Sequence, residues 1–218
     1  MALAIFDLDN TLLGGDSDHA WGEFLVQKGI VDAAVYGAAN ERFYRAYQNG
    51  TLDIRIYLTF ALEPLTRFSR AHLAQLHAEF MRTMIAPLRL PKAAALLTEH
   101  RERGDFLLIV TATNAFITRP IAHSLGVDAI LATEPEIRDD RYTGAFIGTP
   151  CFREGKVTRL REWLLQHPYD PAQAYFYSDS QNDLPLLNMV GNPIAVDPDD
   201  TLRAEAQQRG WPIISLRD

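Results

Sequence analysis

The sequence has little cysteine, no excess of positive charge and only short apolar runs, and each of these limits excludes a class of protein. The single Cys151 excludes an internal disulfide framework and suits a reducing compartment. The net charge of −7 argues against a nucleic-acid partner, which usually needs a basic face. The longest apolar run, Phe106 to Val110, is far too short to cross a bilayer. The N-terminus has no basic region typical of a signal peptide. We therefore predict a cytoplasmic protein that engages neither nucleic acid nor a membrane.

The apolar runs are arranged as strands of an α/β core. A chain of 218 residues with 47% hydrophobic side chains fits one such core plus a smaller insertion. Most runs carry no polar alternation, which is typical of strands buried on both faces of a parallel sheet, and helical patterns lie between most of them. This alternation predicts a doubly wound, mostly parallel, Rossmann-like sheet with its site at the carboxyl ends of the strands. The predicted strands are Leu3–Phe6, Phe106–Val110, Ala129–Leu131, Ala174–Tyr177, Pro193–Val196 and Ile213–Leu216.

One long stretch, from Gly14 to Arg89, has helical patterns and no convincing strand. It contains an amphipathic stripe with helical spacing that starts at Leu73 and ends at Met84. We predict a helical cap domain over residues 14–89, inserted into a catalytic core that comprises residues 1–13 and 90–218. Within the core, the segment Ile137–Ile147 predicts a hairpin with its turn at Tyr142-Thr143-Gly144.

Two carboxylates, Asp7 and Asp9, directly follow the first predicted strand. In extended backbone this spacing places both on one face. Like charges so close repel, and burying them is costly unless a cation or a proton compensates. Oxygen ligands of this kind suit a hard divalent cation such as Mg²⁺.

Three more polar signals stand at the ends of predicted strands or the starts of helices. Thr111 follows the strand 106–110, where its hydroxyl and the backbone N–H groups of the next turn can cradle a phosphate. Lys156 stands at a helix start, where a cation opposes the helix dipole and therefore indicates an anionic partner. Asp179 and Asp183 bracket a polar loop after the strand 174–177 and can complete an oxygen-ligand site with Asp7.

These motifs, taken in order, resemble those of the haloacid dehalogenase superfamily of phosphatases with an aspartate nucleophile. The order is a strand with Asp7-Leu8-Asp9-Asn10-Thr11, a strand with Thr111, then Lys156, then Asp179-Ser180-Gln181-Asn182-Asp183. The match extends over residues 5–183 and covers most of the chain. A cap between the first and second motifs resembles the subgroup that holds phosphoserine phosphatases and histidinol-phosphate phosphatases.

The resemblance implies a covalent mechanism with a metal ion. Asp7 would be the nucleophile that forms an aspartyl-phosphate, and Asp9 the general acid and then the general base. Mg²⁺ would be held by the carboxylates of Asp7 and Asp179 and by the backbone carbonyl of Asp9. Asp183 would not bind the metal itself but would orient metal-bound water. The residues that would contact the phosphoryl group are Thr111, Ala112, Lys156 and Asn182.

Two features depart from phosphoserine phosphatases. Ser178 and Ser180 replace the glycines that usually flank the first Asp of the last motif. Asp16 stands where those enzymes carry a Glu for the substrate amine, and the position of their carboxylate-binding Arg corresponds here to Thr59, with Arg55 one helical turn earlier.

Asp16 could bind a substrate amine, but no Arg stands at the position that binds the substrate carboxylate in phosphoserine phosphatases. This combination favours an amine-bearing phosphate ester that lacks a carboxylate. We therefore predict a Mg²⁺-dependent phosphatase of small phosphate esters, similar to histidinol-phosphate phosphatases, in which Asp16, Asp18, His19 and Arg55 contribute to specificity. Phosphoserine phosphatase is the alternative if Arg55 reaches the pocket. A phosphomutase would retain the same motifs, and a non-catalytic binding protein of this fold would be expected to lose one of them.

Overall fold

The structure, a computed structural model, describes residues 2–217. A seven-stranded sheet with the order β4-β3-β2-β1-β5-β6-β7 forms the centre, and all neighbouring strands are parallel except β3 and β4. The predicted doubly wound α/β fold is confirmed. The strands are β1 (Leu3–Phe6), β2 (Phe106–Asn114), β3 (Ala129–Arg138), β4 (Arg141–Ile147), β5 (Tyr175–Ser178), β6 (Asn192–Val196) and β7 (Ile213–Ile214).

Helices cover both faces of the sheet, as the continuous apolar runs predict. Alternate side chains of β1 point to opposite faces. Ala4 and Phe6 join one hydrophobic cluster, whereas Leu3 and Ile5 join the other. Within residues 2–217 no helix is both long and apolar enough to cross a membrane. The helices are α1 (Ser17–Gln27), α2 (Ala33–Gln48), α3 (Ile54–Leu62), α4 (Arg70–Phe80), α5 (Pro91–Glu102), α6 (Ala115–Leu125), α7 (Glu154–Leu164), α8 (Leu184–Leu187) and α9 (Asp200–Arg209).

The chain between β1 and α5 is helical, as predicted for the cap. Each of α1 to α4 begins behind a side chain that accepts a hydrogen bond from its first turn. The chain leaves and re-enters the core side by side, because Leu13 and Arg89 form an antiparallel bridge and the Gly14 N–H donates to the Leu88 carbonyl at 2.7 Å. This contact supports the division that we propose, with a cap over residues 14–89. The four capping residues are Asp16, Asp32, Asp53 and Ser69.

The cap packs directly on the core. The Trp21 ring of α1 contacts the Phe116 ring of α6, with centroids 5.3 Å apart. From α4, His77 Nε2 lies 3.0 Å from the Ile117 carbonyl oxygen, and Leu73 and His77 are buried. The amphipathic stripe of this helix is therefore packing surface, and it continues through a π-helical turn at Met81–Ile85.

The hairpin is present, but the predicted turn was wrong. The turn lies at Asp139 and Asp140, whose φ angles of 50° and 57° are left-handed, and residues 142–144 belong to β4. Two left-handed residues in succession give a hairpin turn that matches the twist of the strands, and Asp tolerates this conformation better than most residues. The hairpin also contacts the cap, since the Arg55 guanidinium lies 5.6 Å from the centroid of the Phe146 ring.

A buried polar network connects α5 to β5. His100 is 1% exposed, and its Nδ1 lies 2.9 Å from the Asp105 carboxylate while its Nε2 lies 2.8 Å from the Tyr177 hydroxyl. Because a carboxylate can only accept, Nδ1 carries the proton, and in the neutral ring Nε2 accepts from Tyr177. The Phe6 ring stacks on Tyr177 with centroids 5.0 Å apart, so the network fixes the strand that leads to Asp179.

The His100→Leu substitution is expected to lower the free energy of unfolding by about 2 to 3 kcal/mol, because it leaves the buried Tyr177 hydroxyl without a partner. Urea denaturation of His100→Leu, Tyr177→Phe and the double variant measures this. The double variant should be destabilised by less than the sum of the single variants. Strictly additive losses would contradict a coupled network.

Candidate active site

The carboxyl ends of β1, β2 and β5 bring the predicted polar residues into one place. Asp7 follows β1 directly, Thr111 lies within the second half of β2, and Asp179 follows β5. Lys156 enters from the first turn of α7. The order of the strands explains why these residues lie together. β1 stands between β2 and β5, and the chain winds in opposite directions on the two sides of β1, which leaves a crevice at the carboxyl ends of these strands.

Lys156 binds two carboxylates beneath the surface. Its Nζ lies 2.9 Å from Asp7 Oδ1 and 2.8 Å from Asp183 Oδ2, and all three side chains are buried. The Ser178 hydroxyl also donates to Asp183 Oδ2, at 2.7 Å. Although burial alone would lower the pKa of Lys156, the Asp183 and Asp7 carboxylates raise it above its ordinary value. Lys156 therefore carries its charge in the interior.

Asp7 keeps one oxygen without a hydrogen-bond partner. Lys156 holds Oδ1, whereas the buried Oδ2 has no partner among the described residues. Burial raises the pKa of Asp7 to about 7 in spite of Lys156, and Asp183 adds to the rise. Burying a carboxylate oxygen without a partner is costly, so this oxygen is suited to bind a cation or an electrophilic atom.

Asp179 lies close to Asp7 and is tied to the loop after β1. The Thr11 hydroxyl donates to Asp179 Oδ1 at 3.0 Å and accepts from the Asp179 backbone N–H at 3.1 Å. Burial and the nearby Asp7 raise the pKa of Asp179 well above its ordinary value. The repulsion between these carboxylates is what a divalent cation would relieve, so the residues fit the expected Mg²⁺.

The expected metal site has few protein side chains. No group of three or more His, Cys, Asp or Glu side chains among residues 2–217 is arranged to hold a metal ion. The ligand set implied by the sequence needs only two, Asp7 and Asp179, together with the backbone carbonyl of Asp9. Mg²⁺ commonly keeps several waters and binds through one or two carboxylates, so this sparse set suits it.

Asp9 is held by two donors from other segments. Its Oδ1 accepts from the Ser17 backbone N–H at 2.7 Å, and its Oδ2 accepts from the Thr113 hydroxyl at 2.8 Å. Burial, followed by the charge of Asp16, raises the pKa of Asp9 to about 7. A carboxyl group with this pKa is populated in both protonation states near neutral pH, as a residue that gives and takes a proton must be.

A cavity lies above these residues, between the core and the cap. It is acidic and aromatic, and its lining in the described part of the chain contains no Lys or Arg. From the cap it is lined by Asp16, Asp18, His19, Asn40, Phe43, Tyr44, Tyr47, Leu52, Ile54 and Tyr57, and from the core by Asp7, Asp9, Thr111, Ala112 and Thr113.

The acidic residues of the cap wall keep part of their surface open to the cavity. Asp16 is the N-cap of α1, where Oδ1 accepts from the N–H groups of Asp18 and His19 at 2.9 and 2.8 Å. Dense packing, then Asp18, raises the pKa of Asp16 to about 7. Burial likewise raises the pKa of Asp18 to about 7, opposed by its hydrogen bond with the Tyr57 hydroxyl. A bound cation would stabilise the charged forms of both carboxylates.

His19 forms part of the same wall and is oriented by its neighbours. Its Nδ1 lies 3.2 Å from Asn40 Nδ2, which also donates to the His19 carbonyl at 3.0 Å. The ring stacks on Tyr44 with centroids 4.5 Å apart. Gly22 leaves the room for Asn40, because a Cβ there would meet its side-chain atoms at 2.5 Å.

Some predicted site residues are not part of the cavity lining. They are Arg55, Lys156, Asp179, Asn182 and Asp183. Arg55 does not line the cavity, because its exposed side chain extends outward over Phe146. Asn182 is buried but does not line the cavity, because its amide donates to the Tyr47 carbonyl and its Oδ1 accepts from Arg153. In this structure Arg55 packs on the hairpin, and α2 takes up the Asn182 amide.

The groups that hold the carboxylates in place are not evident from the sequence. A Thr after the first Asp-x-Asp was visible in the motif, but its partner Asp179 is distant in the chain. Asn114 caps α6, and the Thr113 hydroxyl beside it donates to Asp9. The groups in question are the hydroxyls of Thr11, Thr113 and Ser178 and the backbone N–H of Ser17.

Comparisons with known proteins agree with this geometry. A family model described as haloacid dehalogenase-like hydrolase matches residues 4–188. A histidinol-phosphatase of Neisseria meningitidis serogroup C is 49% identical over 219 residues, which cover 99% of both chains. A phosphoserine phosphatase of Mycobacterium tuberculosis is 30% identical over 99% of this chain and 71% of its own length.

Solved structures share the fold. A protein of unknown function from Bordetella pertussis Tohama I superimposes with a TM-score of 0.92 at 45% identity, over 99% of this chain and 98% of its own. A phospho-aspartyl intermediate analogue of phosphoserine phosphatase superimposes with a TM-score of 0.71 at 18% identity, over 99% of this chain and 93% of its own. The second likeness extends to the fold alone.

The raised pKa of Asp9 predicts that this residue lowers stability at neutral pH. The folded protein binds the proton near pH 7 and the unfolded chain releases it near pH 4, so stability is lost as pH rises between these values. In EDTA, Asp9→Asn should therefore exceed the parent by roughly 4 kcal/mol in unfolding free energy at pH 8 and come close to it at pH 4.

Chemical denaturation across this pH range measures the effect. Asp53→Asn is the matched control, because Asp53 is an exposed helix cap whose oxygen an amide can replace. A gap that stays constant from pH 4 to pH 8 would contradict the assignment of the pH dependence to Asp9.

Proposed function

The chain belongs to the haloacid dehalogenase-like hydrolases and is a phosphatase, and on this premise we propose that it hydrolyses a small amine-bearing phosphate ester through an aspartyl-phosphate on Asp7. Histidinol phosphate is the substrate that we favour. The observation that carries this choice is the cavity, whose lining has four Asp side chains and, among described residues, neither Lys nor Arg.

Asp7 is the nucleophile in this proposal. Asp7 lines the cavity, and its buried Oδ2 has no hydrogen-bond partner among the described residues, whereas Oδ1 is held by Lys156. Oδ2 would attack phosphorus in line, and the bond from phosphorus to the leaving alcohol would break. A dianionic phosphate approaches a carboxylate only where positive charge compensates, and Lys156 supplies one such charge.

Mg²⁺ would supply the remaining positive charge. Asp7, Asp179 and the backbone carbonyl of Asp9 would hold it, and it would neutralise the phosphoryl oxygens and the two carboxylates. Asp183 lies behind Lys156 and keeps the ammonium in place. Thr11 performs the same task for Asp179.

Asp9 would provide the proton for the leaving alcohol. Its neutral form donates to the departing oxygen, and the resulting carboxylate then takes a proton from the water that hydrolyses the aspartyl-phosphate. The Ser17 N–H and the Thr113 hydroxyl orient the group for both steps. Thr111 and Ala112 line the same cavity. The Thr111 hydroxyl and the backbone N–H of Ala112 are the proposed phosphate contacts.

The cap wall would bind the rest of the substrate. Asp16 and Asp18 offer charge to an ammonium group, and the rings of Phe43, Tyr44 and Tyr57 offer flat apolar surface to a substrate ring. The histidinol-phosphatase at 49% identity supports the same substrate.

Phosphoserine phosphatase is the alternative. The relative from Mycobacterium tuberculosis bears that name at 30% identity. A carboxylate substrate, however, would face the four Asp side chains of the cavity, and Arg55 extends away from it. A non-catalytic binding role is disfavoured because Asp7, Asp9, Lys156 and Asp179 are all retained.

The direct test is phosphate release from histidinol phosphate, O-phosphoserine, phosphocholine and phosphoethanolamine, each with Mg²⁺ and with EDTA. Histidinol phosphate should have the highest kcat/KM, O-phosphoserine should be lower by at least about a hundredfold because its carboxylate has no cationic partner, and EDTA should abolish release. Faster turnover of O-phosphoserine would reject the favoured substrate, and equal release in EDTA would reject the metal.

The substrate-binding role of the acidic wall has a separate test. Asp16→Asn and Asp18→Asn should each raise KM for histidinol phosphate by about tenfold or more, because each removes a charge that pairs with the ligand. With p-nitrophenyl phosphate, which carries no cation, kcat/KM should change less than about twofold.

Asp32→Asn is the control for these variants, since Asp32 is an exposed helix cap on the same cap domain. Equal losses with both substrates would assign the two carboxylates to the structure of the site and not to recognition of the amine.

A further inference from the structure

Three core side chains bind the carbonyl groups at the C-terminal end of α2. Each donor is a side-chain N–H of the core, and each acceptor is a backbone carbonyl of the cap. We call these three side chains, Arg153, Gln181 and Asn182, the α2 latch. The latch joins Arg153 Nη2 to Gly50, Gln181 Nε2 to Gln48 at 2.9 Å and Asn182 Nδ2 to Tyr47 at 3.0 Å.

The latch is one connected unit. Arg153 Nε donates to Asn182 Oδ1 at 3.1 Å, so two of its members hold each other as well as the helix. The last carbonyls of a helix have no partner within the helix and carry the negative end of its dipole. The Arg153 guanidinium is therefore favourable here, because it donates a hydrogen bond to one of these carbonyls and its positive charge lies at the negative end of the helix dipole.

Arg153 adopts a backbone conformation that favours glycine. Its φ of 51° and ψ of −120° bring Cβ close to the neighbouring backbone. A non-glycine residue persists in such a conformation only where the surroundings hold it, and these positions concentrate at functional sites. The backbone conformation alone would favour glycine at position 153, but the residue there is an arginine.

The latch originates from the two segments that carry the phosphate-site residues. Arg153 is the N-cap of α7, whose first turn contains Lys156. Gln181 and Asn182 lie between Asp179 and Asp183. The latched half of α2 also forms a wall of the cavity, to which it contributes Asn40, Phe43, Tyr44 and Tyr47.

We propose that Arg153 is a positioning residue, which with Gln181 and Asn182 fastens α2 over the phosphate site and so closes the cavity around the ester. The kinetic part of its test rests on the proposed function, and the distance measurement below does not. Loss of the latch lowers the fraction of molecules in the closed state, and the apparent affinity for the ester falls by the same factor.

Arg153→Gly is the informative variant, because it removes the latch donor and also relieves the backbone conformation. KM for histidinol phosphate should rise by about tenfold or more, with a smaller change in kcat. The melting temperature should stay equal or rise. Arg45→Gln is the matched control, because Arg45 is an exposed arginine on α2 that pairs only with Glu41 among described residues, and its kinetics should equal those of the parent.

A lower melting temperature of Arg153→Gly together with an unchanged KM would overturn the proposal, because Arg153 would then contribute to stability and not to substrate binding. Gln181→Ala removes one latch contact without touching the backbone conformation, and it should raise KM in the same direction by a smaller factor. An unchanged KM in both variants would also overturn the proposal.

A distance measurement tests closure without turnover. Spin labels at Ala38→Cys on α2 and Arg161→Cys on α7 stand on exposed positions, while Cys151 is fully buried and should escape labelling. Without substrate, the distance distribution should be narrow in the latched protein and broader, with longer distances, in the Arg153→Gly background. Identical distributions would overturn the latch, whether or not histidinol phosphate proves to be the substrate.

Discussion

The buried ammonium group of Lys156, held between Asp7 and Asp183, constrains the arrangement of everything around it. Removing three charges from water costs several kcal/mol for each ion, and only close geometry and further hydrogen bonds repay that cost. The loop after β1, the first turn of α7 and the loop after β5 must therefore stay in fixed relation. The serine at position 178 strengthens this relation, because its hydroxyl donates to Asp183.

Hydroxyl groups perform much of the orientation in this site. Thr11 fixes Asp179 and Thr113 fixes Asp9, in each case across segments that are distant in the chain. These neutral donors stabilise the charged carboxylates without adding a cation that would compete with the substrate or the proposed Mg²⁺. The raised pKa of Asp9 follows from the same balance, in which burial outweighs two hydrogen bonds.

The core and the cap divide the tasks of the enzyme. In the proposed function, strand ends and α7 supply the groups for the phosphoryl group, whereas α1, α2 and α3 contribute the acidic and aromatic wall of the cavity. The two parts share one hydrophobic cluster, which extends from Phe6 of the sheet to Trp21 and Phe80 of the cap. Packing of this kind holds the cap near the site, and directional contacts such as that of Arg153 with α2 select its exact placement.

The sequence alone determined which residues stand at the strand ends. Buried parallel strands appear as continuous apolar runs, so Asp7, Asp9 and Asp179 were located by local pattern, and Lys156 by its place at a helix start. Tertiary structure alone decided their partners, since Thr113 lies 104 residues from the Asp9 that it contacts. It also directed Arg55 outward and Asn182 toward α2. The physical reason is that secondary structure follows from short-range periodicity, whereas the direction of an individual side chain depends on which distant group offers it a hydrogen bond or a packing surface.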